Sequence, residues 1–273
     1  MAEFTFDGYK VHYETYGTTG EPIILLNGIM MSTASWKPFI EDFTRHNTLI
    51  LVDFLDQGQS QRMENPYDHS IQVKLLDELI EHLWYSRVNI VGISYGGEIA
   101  IQYALAHPRR VRRLVLLNTC GRTSPWLKKI GDGWNEVAKT GNGYAYYLTT
   151  IPVIYSTAFF EQHADWMEGR EAYLTEYFSR KDVLEALIRL TDSSVGYDVT
   201  DRLHEITCPT LILSSSEDAL VPSTEQQLLH ENINGSVYLT LNGSGHASMY
   251  ENPAAFAALV LGFTNLRDEG IHV

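Results

Sequence analysis

The stretch from Asn89 to Gly97 most constrains how this chain folds, because an apolar run leads into the pentapeptide GISYG and then into a helix-prone segment. This order predicts a strand, a sharp turn that carries Ser94, and a helix. A serine on such a strained turn needs residues with almost no side chain two positions before and after it, because the flanking chain would otherwise crowd it. Gly92 and Gly96 meet that need. The pentapeptide alone is also compatible with an ordinary glycine-rich turn, so the surrounding sequence has to distinguish the two.

Short apolar runs, typical of buried strands, alternate with helical patterns along most of the chain. Strands are predicted over Phe4–Phe6, Lys10–Thr15, Ile23–Asn27, Thr48–Asp53, Val88–Ile93, Arg113–Asn118, Thr210–Ser214 and Ser236–Leu241. Helices are predicted over Ser35–His46, Ile71–Tyr85 with Ser70 as its N-cap, Tyr95–His107, Ser223–Glu231 and Pro253–Leu266. This alternation predicts an α/β fold with a mostly parallel central sheet and a ligand site at the carboxyl ends of the strands.

Residues 122–200 interrupt the alternation with a mostly helical pattern. We interpret them as a helical cap inserted after the sixth strand, so that residues 1–121 and 201–273 form the α/β core. The segment holds 13 of the 31 aromatic residues of the chain. Most of these should pack the cap onto the core, because aromatic side chains dominate cores generally, and a few should line an apolar substrate pocket.

Two loops downstream could supply the acid and the base that a serine nucleophile requires. A predicted strand runs into a polar loop with Glu217 and Asp218, and another runs into a glycine loop that ends at His246. The residues alone do not decide between the two acids. Ser94, this loop and His246 all follow predicted strands, so we expect them to meet at one edge of the sheet.

On these motifs, and on the chain order serine, acid, histidine, the sequence resembles the α/β-hydrolase superfamily over nearly its whole length. The resemblance favours Asp218 as the acid, with Ser94 as nucleophile and His246 as base. It implies a serine hydrolase that cleaves a carboxylic ester, thioester or lactone of a small apolar substrate through an acyl-serine. Such chemistry requires no metal and no organic cofactor.

The family places an oxyanion-hole loop, commonly His-Gly, after the third strand. Here that position reads Asn27-Gly28, and the resemblance implies that the backbone N–H groups of Ile29 and Tyr95 hold the developing oxyanion. The loop after the fourth strand carries Asp56 where glycine is usual. These two departures affect which substrate we expect the protein to accept, but they do not change the predicted fold.

The same two loops are similar to those of the hydroxyacyl acyltransferase that makes the lipid part of bacterial rhamnolipids. Acyl transfer to an alcohol is therefore an alternative to transfer to water, since both pass through an acyl-serine. A non-enzymatic small-molecule binding role is a third reading, because fold alone does not determine function.

The composition excludes some partners. The net charge of −14 argues against nucleic acid and against anionic membrane surfaces, both of which would repel the chain. No apolar run approaches the roughly 20 residues needed to span a bilayer, and no secretory signal is visible, so we expect a cytoplasmic protein. Cys120 and Cys208 are expected to stay reduced and have no metal-ligand spacing. Nothing in the sequence indicates an oligomeric state.

Overall fold

The computed structural model of the chain describes residues 2–266; residue 1 and residues 267–273, which the predicted core includes, lie outside the described residues. Within residues 2–266, eight strands form one sheet, in the order β1-β2-β4-β3-β5-β6-β7-β8, and this confirms the predicted α/β fold. The strands are β1 (Ala2–Phe6), β2 (Tyr9–Tyr16), β3 (Glu21–Leu26), β4 (Asn47–Val52), β5 (Val88–Ile93), β6 (Val111–Leu117), β7 (Thr210–Ser215) and β8 (Val237–Leu241).

The sheet is antiparallel at one side and parallel elsewhere. β1 pairs antiparallel with β2, and β2 with β4, whereas the pairings that join β4, β3, β5, β6, β7 and β8 are all parallel. The carboxyl ends of β3 to β8 therefore lie at one edge, where open parallel sheets bind their ligands.

Helices cover both faces of the sheet. They are α1 (Ile40–Thr44), α2 (Ser70–His82), α3 (Tyr95–Ala106), α4 (Pro125–Lys139), α5 (Gly143–Ile154), α6 (Thr157–Gln162), α7 (Ala164–Phe178), α8 (Lys181–Ser193), α9 (Ser223–Asn232), α10 (Ser248–Glu251) and α11 (Pro253–Thr264), with 3-10 helices at Thr33–Phe39 and Thr200–Glu205.

Alternate residues of each strand belong to the two sides of the core, as the pleat of a strand requires. Ile24 and Leu26 of β3 pack in a buried cluster with residues of α2 and α3. Ile23 and Leu25 of the same strand pack in a second cluster, which includes Phe256 of α11. Because both faces are covered, β3 is apolar at consecutive positions from Ile23 to Leu26 rather than at every second one.

Two predicted helices differ from the structure. The predicted helix Ser35–His46 is a 3-10 helix followed by the short α1, and Pro38, which has no N–H to donate, lies inside the 3-10 part. Ser70 is not an N-cap but the first residue of α2, where its N–H donates to Asp68 Oδ1 at 2.8 Å. α2 ends at His82 rather than at residue 85, because Trp84 has a φ of 60°.

Between β6 and β7, where every residue is described, lie the five helices α4 to α8, called the inserted helices below. An isolated antiparallel bridge pairs Arg122 with Asp198, so the two ends of this segment lie next to each other. No helix in residues 2–266 is both long enough and apolar enough to cross a membrane.

Candidate active site

Ser94 lies between β5 and α3, in a backbone conformation that few residues other than glycine adopt. Its φ is 52° and its ψ is −122°. A Cβ on Gly92 would lie 2.4 Å from the carbonyl oxygen of Gly96, and a Cβ on Gly96 would lie 2.4 Å from that of Leu26. Neither position can hold a side chain without moving the backbone. The two glycines therefore permit the strained turn that presents the serine at the carboxyl edge of the sheet.

Asp218 follows β7 and His246 follows β8, and their side chains are hydrogen-bonded. Nδ1 of His246 lies 2.8 Å from Oδ2 of Asp218. The other carboxylate oxygen accepts the N–H groups of Leu220 and Val221 at 3.0 and 2.8 Å. Because an ionised carboxylate only accepts hydrogen bonds, the pairing places the imidazole proton on Nδ1 and leaves Nε2 as an acceptor.

The two acids of the β7 loop occupy different environments. Asp218 is buried against His246, whereas Glu217 is exposed and contributes its backbone N–H to the carbonyl of Ser244 at 3.0 Å. The structure thus brings Asp218, and not Glu217, to the histidine.

Asn118, which sequence reasoning missed, joins the acid loop to the histidine loop. Its Nδ2 donates to Asp218 Oδ2 at 2.8 Å and to the carbonyl of Gly245 at 3.3 Å. Its Oδ1 accepts the hydroxyls of Ser215 and Ser248 at 3.2 and 3.1 Å. The residue is fully buried and has a φ of 48°, which asparagine tolerates better than most residues. Its place directly after β6, beside the loop of β7, is the signal that could have identified it.

Glu251 holds the histidine loop from the other side. Its Oε2 accepts the N–H of Gly245 at 3.0 Å and the hydroxyl of Ser156 at 2.6 Å, and its Oε1 accepts the N–H of Ser156 at 3.0 Å. Gly245 immediately precedes His246, and Ser156 lies just before α6. One carboxylate therefore fixes the loop of His246 to the inserted helices.

Asn27, where the resemblance leads one to expect histidine, is a buried structural residue. Its Nδ2 donates to the carbonyl of Val52 at 2.8 Å and to Gln57 Oε1 at 3.2 Å. Its Oδ1 accepts the indole N–H of Trp36 at 2.7 Å. With its amide bonded on both sides, Asn27 connects the loop after β3 to the loop after β4.

The following residues of this loop lie close to the serine. The carbonyl of Gly28 accepts Gln57 Nε2 at 2.9 Å, and a Cβ on Gly28 would lie 3.5 Å from the Cβ of Ser94. Ile29 and Tyr95 line the same cavity as Ser94. Their roles as oxyanion donors stay a prediction.

Asp56, the other departure from the usual family pattern, anchors the inserted helices. Its φ is 71°. Its carboxylate accepts two hydrogen bonds from the guanidinium of Arg189 in α8, Nη2 at 2.7 Å and Nε at 3.0 Å, and one from the N–H of Met63 at 3.0 Å. The extra acid thus has a partner in the inserted segment, away from the cavity lining.

Ser94 and His246 line one cavity between the carboxyl edge of the sheet and the inserted helices α4, α5 and α8. The cavity has a volume of about 120 Å³ and mostly apolar walls, which include Ile29, Met30, Met31, Leu127, Ile130, Trp134, Leu220, Val221 and Met249. For comparison, an engineered apolar cavity of about 150 Å³ holds one benzene molecule. The room beside the serine therefore fits a short acyl chain or a single ring.

The aromatic residues of the inserted segment are less involved in this cavity than expected. Trp134 is the one aromatic residue of 122–200 that lines it. Others pack on one another: the rings of Tyr146 and Phe178 lie 4.9 Å apart, and those of Tyr155 and Phe159 lie 5.5 Å apart. The prediction that a few of these aromatic residues line an apolar pocket therefore rests on Trp134, whereas the packed pairs fit the prediction that most of them pack within the protein. Across residues 2–266, no cluster of His, Cys, Asp or Glu side chains is arranged to hold a metal ion.

The family model for the alpha/beta hydrolase fold matches residues 21–253. The chain belongs to the α/β-hydrolase family. The α/β-hydrolase enzyme MGS-M2, from a Medee basin deep-sea metagenome library, is 48% identical, covers 100% of both chains and superposes with a TM-score of 0.97. RutD of Azorhizobium caulinodans, a protein named for carbamate hydrolysis, is 26% identical over 95% of this chain and 96% of its own length.

An enol-lactonase from Burkholderia xenovorans shares the fold, with a TM-score of 0.85 at 22% identity over 96% of this chain and 99% of that one. The names of these proteins are those of hydrolases, and this chain is an enzyme of the same type. The family assignment confirms the resemblance that the motifs around Ser94 and His246 indicated.

Proposed function

We propose that the protein is a serine hydrolase that cleaves a carboxylic ester or thioester of a small acyl group through an acyl-Ser94 intermediate. The observation that carries this proposal is the convergence of three side chains. Ser94 on its strained turn and His246, hydrogen-bonded to the buried Asp218, line one small apolar cavity.

In the first half of the reaction, Nε2 of His246 accepts the proton of the Ser94 hydroxyl as Oγ attacks the substrate carbonyl carbon. Asp218 keeps the imidazole in the required tautomer and stabilises the imidazolium that forms. The carbonyl oxygen becomes an oxyanion, which the N–H groups of Ile29 and Tyr95 stabilise, and one such donor contributes about 3–4 kcal/mol. Collapse expels the alcohol or thiol, which takes the proton from the imidazolium.

In the second half, His246 removes a proton from a water molecule that attacks the acyl carbonyl. The tetrahedral intermediate collapses, the acid leaves, and the proton returns to Ser94. If an alcohol takes the place of water, the same steps give acyl transfer, which remains the alternative reaction at this site.

The inserted helices act in this proposal as a cap that covers the cavity and limits acyl-chain length. α4 and α5 contribute apolar side chains to its wall, and α8 contributes Thr191 and Asp192. A cavity of about 120 Å³ should admit acetyl and butyryl groups more readily than octanoyl, because a longer chain needs a volume that the cap does not leave.

Carbamate hydrolysis is a second candidate reaction. The likeness to RutD extends over 95% of this chain, and a carbamate carbonyl can be attacked by the same nucleophile. Carbamates carry an N–H group next to the carbonyl, so their turnover should be compared with that of esters of equal size.

The test combines labelling by a fluorophosphonate with hydrolysis of p-nitrophenyl acetate, butyrate and octanoate. We expect intact-mass spectrometry to show one label on the protein, and peptide mapping to place it on Ser94. Ser94→Ala and His246→Ala should each lose at least about a thousandfold in kcat/KM while the circular dichroism spectrum is unchanged. The matched control is Ser70→Ala, since Ser70 is exposed and does not line the cavity that contains Ser94.

A well-folded Ser94→Ala protein that retains the wild-type rate would refute the proposal. Labelling of Ser94 without ester hydrolysis in water, but with ester formation when an alcohol is added, would identify a transferase instead.

A further inference from the structure

Glu98 is an acidic residue in the wall of the otherwise mostly apolar cavity. It lies one helical turn after the nucleophile, and its N–H donates to the carbonyl of Ser94 at 3.1 Å. Ser194, at the end of α8, lines the same cavity, and its hydroxyl donates to Glu98 Oε2 at 3.0 Å. A carboxyl and a hydroxyl group, bonded to each other, therefore form a polar spot in the cavity wall. The proposed mechanism uses neither of them.

The hydrogen bonds around this spot run in one direction. Gln102 Nε2 donates to His69 Nδ1 at 2.8 Å, so the imidazole proton lies on Nε2. That nitrogen lies 3.0 Å from the hydroxyl of Ser194, which in turn donates to Glu98. The chain of donors thus ends on the carboxyl group of Glu98, and this group is the terminal acceptor.

The carboxyl group of Glu98 has fewer partners than its charge requires. Within residues 2–266 no lysine or arginine forms an ion pair with it. His69 Nε2 lies 3.4 Å from its Oε2, and its second oxygen has as its partner only the thiol of Cys120 at 3.5 Å. Thiols are weak donors, whereas a carboxylate can accept about four hydrogen bonds. Burial raises the pKa of Glu98 to about 7 and lowers that of His69 to about 4, so the histidine is neutral and supplies no counter-charge.

We propose that Glu98, with Ser194, is a specificity-determining site that binds an O–H or N–H group of the substrate near its reacting carbonyl. The substrate class is then a small ester, thioester or carbamate whose acyl part carries a hydroxyl, amino or amide group, rather than a plain alkanoyl ester. A donor from the substrate completes the hydrogen bonding of the buried carboxyl group. A plain alkyl chain at the same place leaves that group unsatisfied, which is how polar pockets reject analogues that lack a donor.

This inference rests on the proposed function, and its test uses substrates of nearly equal size. Rates of hydrolysis of ethyl butyrate, ethyl 2-hydroxybutyrate and ethyl 3-hydroxybutyrate are measured by pH-stat for the wild type, Glu98→Leu and Glu98→Gln. We expect the wild type to prefer one of the hydroxy esters, and this preference in kcat/KM to fall at least about tenfold in Glu98→Leu, the equivalent of one hydrogen bond. Glu98→Gln, which keeps a donor and an acceptor, should retain an intermediate preference and guards against a folding defect in the leucine variant.

The matched control is Glu225→Gln. Glu225 is also largely buried, and it pairs with Arg122 at 3.0 Å rather than lining the cavity. A purely structural role for Glu98 would lower the rates on all three esters together, and an unchanged ratio between them in a folded Glu98→Leu protein would overturn the inference.

Absence of turnover on every ester would count against the proposed function instead. Binding then still tests Glu98: the Ser94→Ala protein should bind one of the two hydroxy esters at least about tenfold more tightly than ethyl butyrate by ligand-observed NMR titration, and the double variant with Glu98→Leu should lose that difference. Equal affinities of Ser94→Ala for the esters would refute the polar site.

Discussion

The ion pair between Asp56 and Arg189 should connect the inserted helices to the core more strongly than any exposed pair does. The side chain of Asp56 is 0% exposed and that of Arg189 is 15% exposed, and two hydrogen bonds join them. We expect Arg189→Met to lower the free energy of unfolding by about 3 kcal/mol, which is at the low end of the range for breaking a buried ion pair. The cost is at the low end because the N–H of Met63 still donates a hydrogen bond to the carboxylate of Asp56. Asp56→Asn should cost about 2 kcal/mol, since the arginine that it leaves can reach water.

The double variant Asp56→Asn/Arg189→Met removes both charges and should cost only about 1–2 kcal/mol, so the coupling energy of the cycle is roughly 3–4 kcal/mol. Asparagine tolerates the positive φ of position 56, so the change does not add backbone strain. The assay is urea unfolding at pH 7, followed by tryptophan fluorescence and by circular dichroism, for the wild type and the three variants.

The same cycle on Arg202 and Glu205 supplies the control. These side chains are 54% and 43% exposed and lie 2.8 Å apart, and exposed pairs couple by no more than about 1 kcal/mol. A coupling energy between Asp56 and Arg189 that is as small as that of this exposed pair would refute the reasoning that burial makes the anchor strong.

Two further predictions concern the site itself. Asn118→Gly keeps the left-handed backbone but removes the donor to Asp218, so kcat/KM on p-nitrophenyl butyrate should fall roughly 5- to 150-fold with native circular dichroism, and an unchanged rate would show that the amide is dispensable. Burial raises the pKa of Glu98 from 4.5 to about 7 in the folded protein. Between these pH values the folded protein holds a proton that the unfolded chain has released. The stability that this proton contributes is full below pH 4.5 and is lost as the pH rises through 7. Relative to Glu98→Gln, the wild type should therefore lose about 3 kcal/mol of unfolding free energy between pH 4.5 and 8, which urea melts at several pH values measure; parallel curves would contradict the buried, unpaired state of Glu98.

Local sequence signals predicted the elements that place the site. The apolar runs of β3 to β7 identify a sheet covered on both faces, and Gly92 and Gly96 are required because backbone atoms approach within 2.4 Å of where their Cβ atoms would lie. Pro253 begins α11, the last helix of residues 2–266, as the preference of proline for the first turn of a helix predicts. The local sequence is enough to predict these features, because they depend on the types and spacing of neighbouring residues.

At two other places the structure differs from what the local sequence suggests, because another interaction competes with the expected one. Ser70 carries the right side chain for an N-cap, yet the carboxylate of Asp68 takes its N–H and Ser70 becomes the first helical residue. The aromatic residues of the inserted segment suggested a pocket lining, whereas pairs such as Tyr146 and Phe178 pack on each other.

The sequence by itself determined the parallel sheet, the serine turn and the loops that carry acid and base, because strand and helix periods and glycine requirements are properties of neighbouring residues. Only the tertiary structure decided that Asp218 rather than Glu217 meets His246, that Arg189 pairs with Asp56, and that Ser194 bonds to Glu98. The partners in the last two pairs are 133 and 96 residues apart in the chain. Their contacts depend on how the inserted helices pack against the edge of the sheet, and no local pattern encodes the distance between two residues that far apart in the chain.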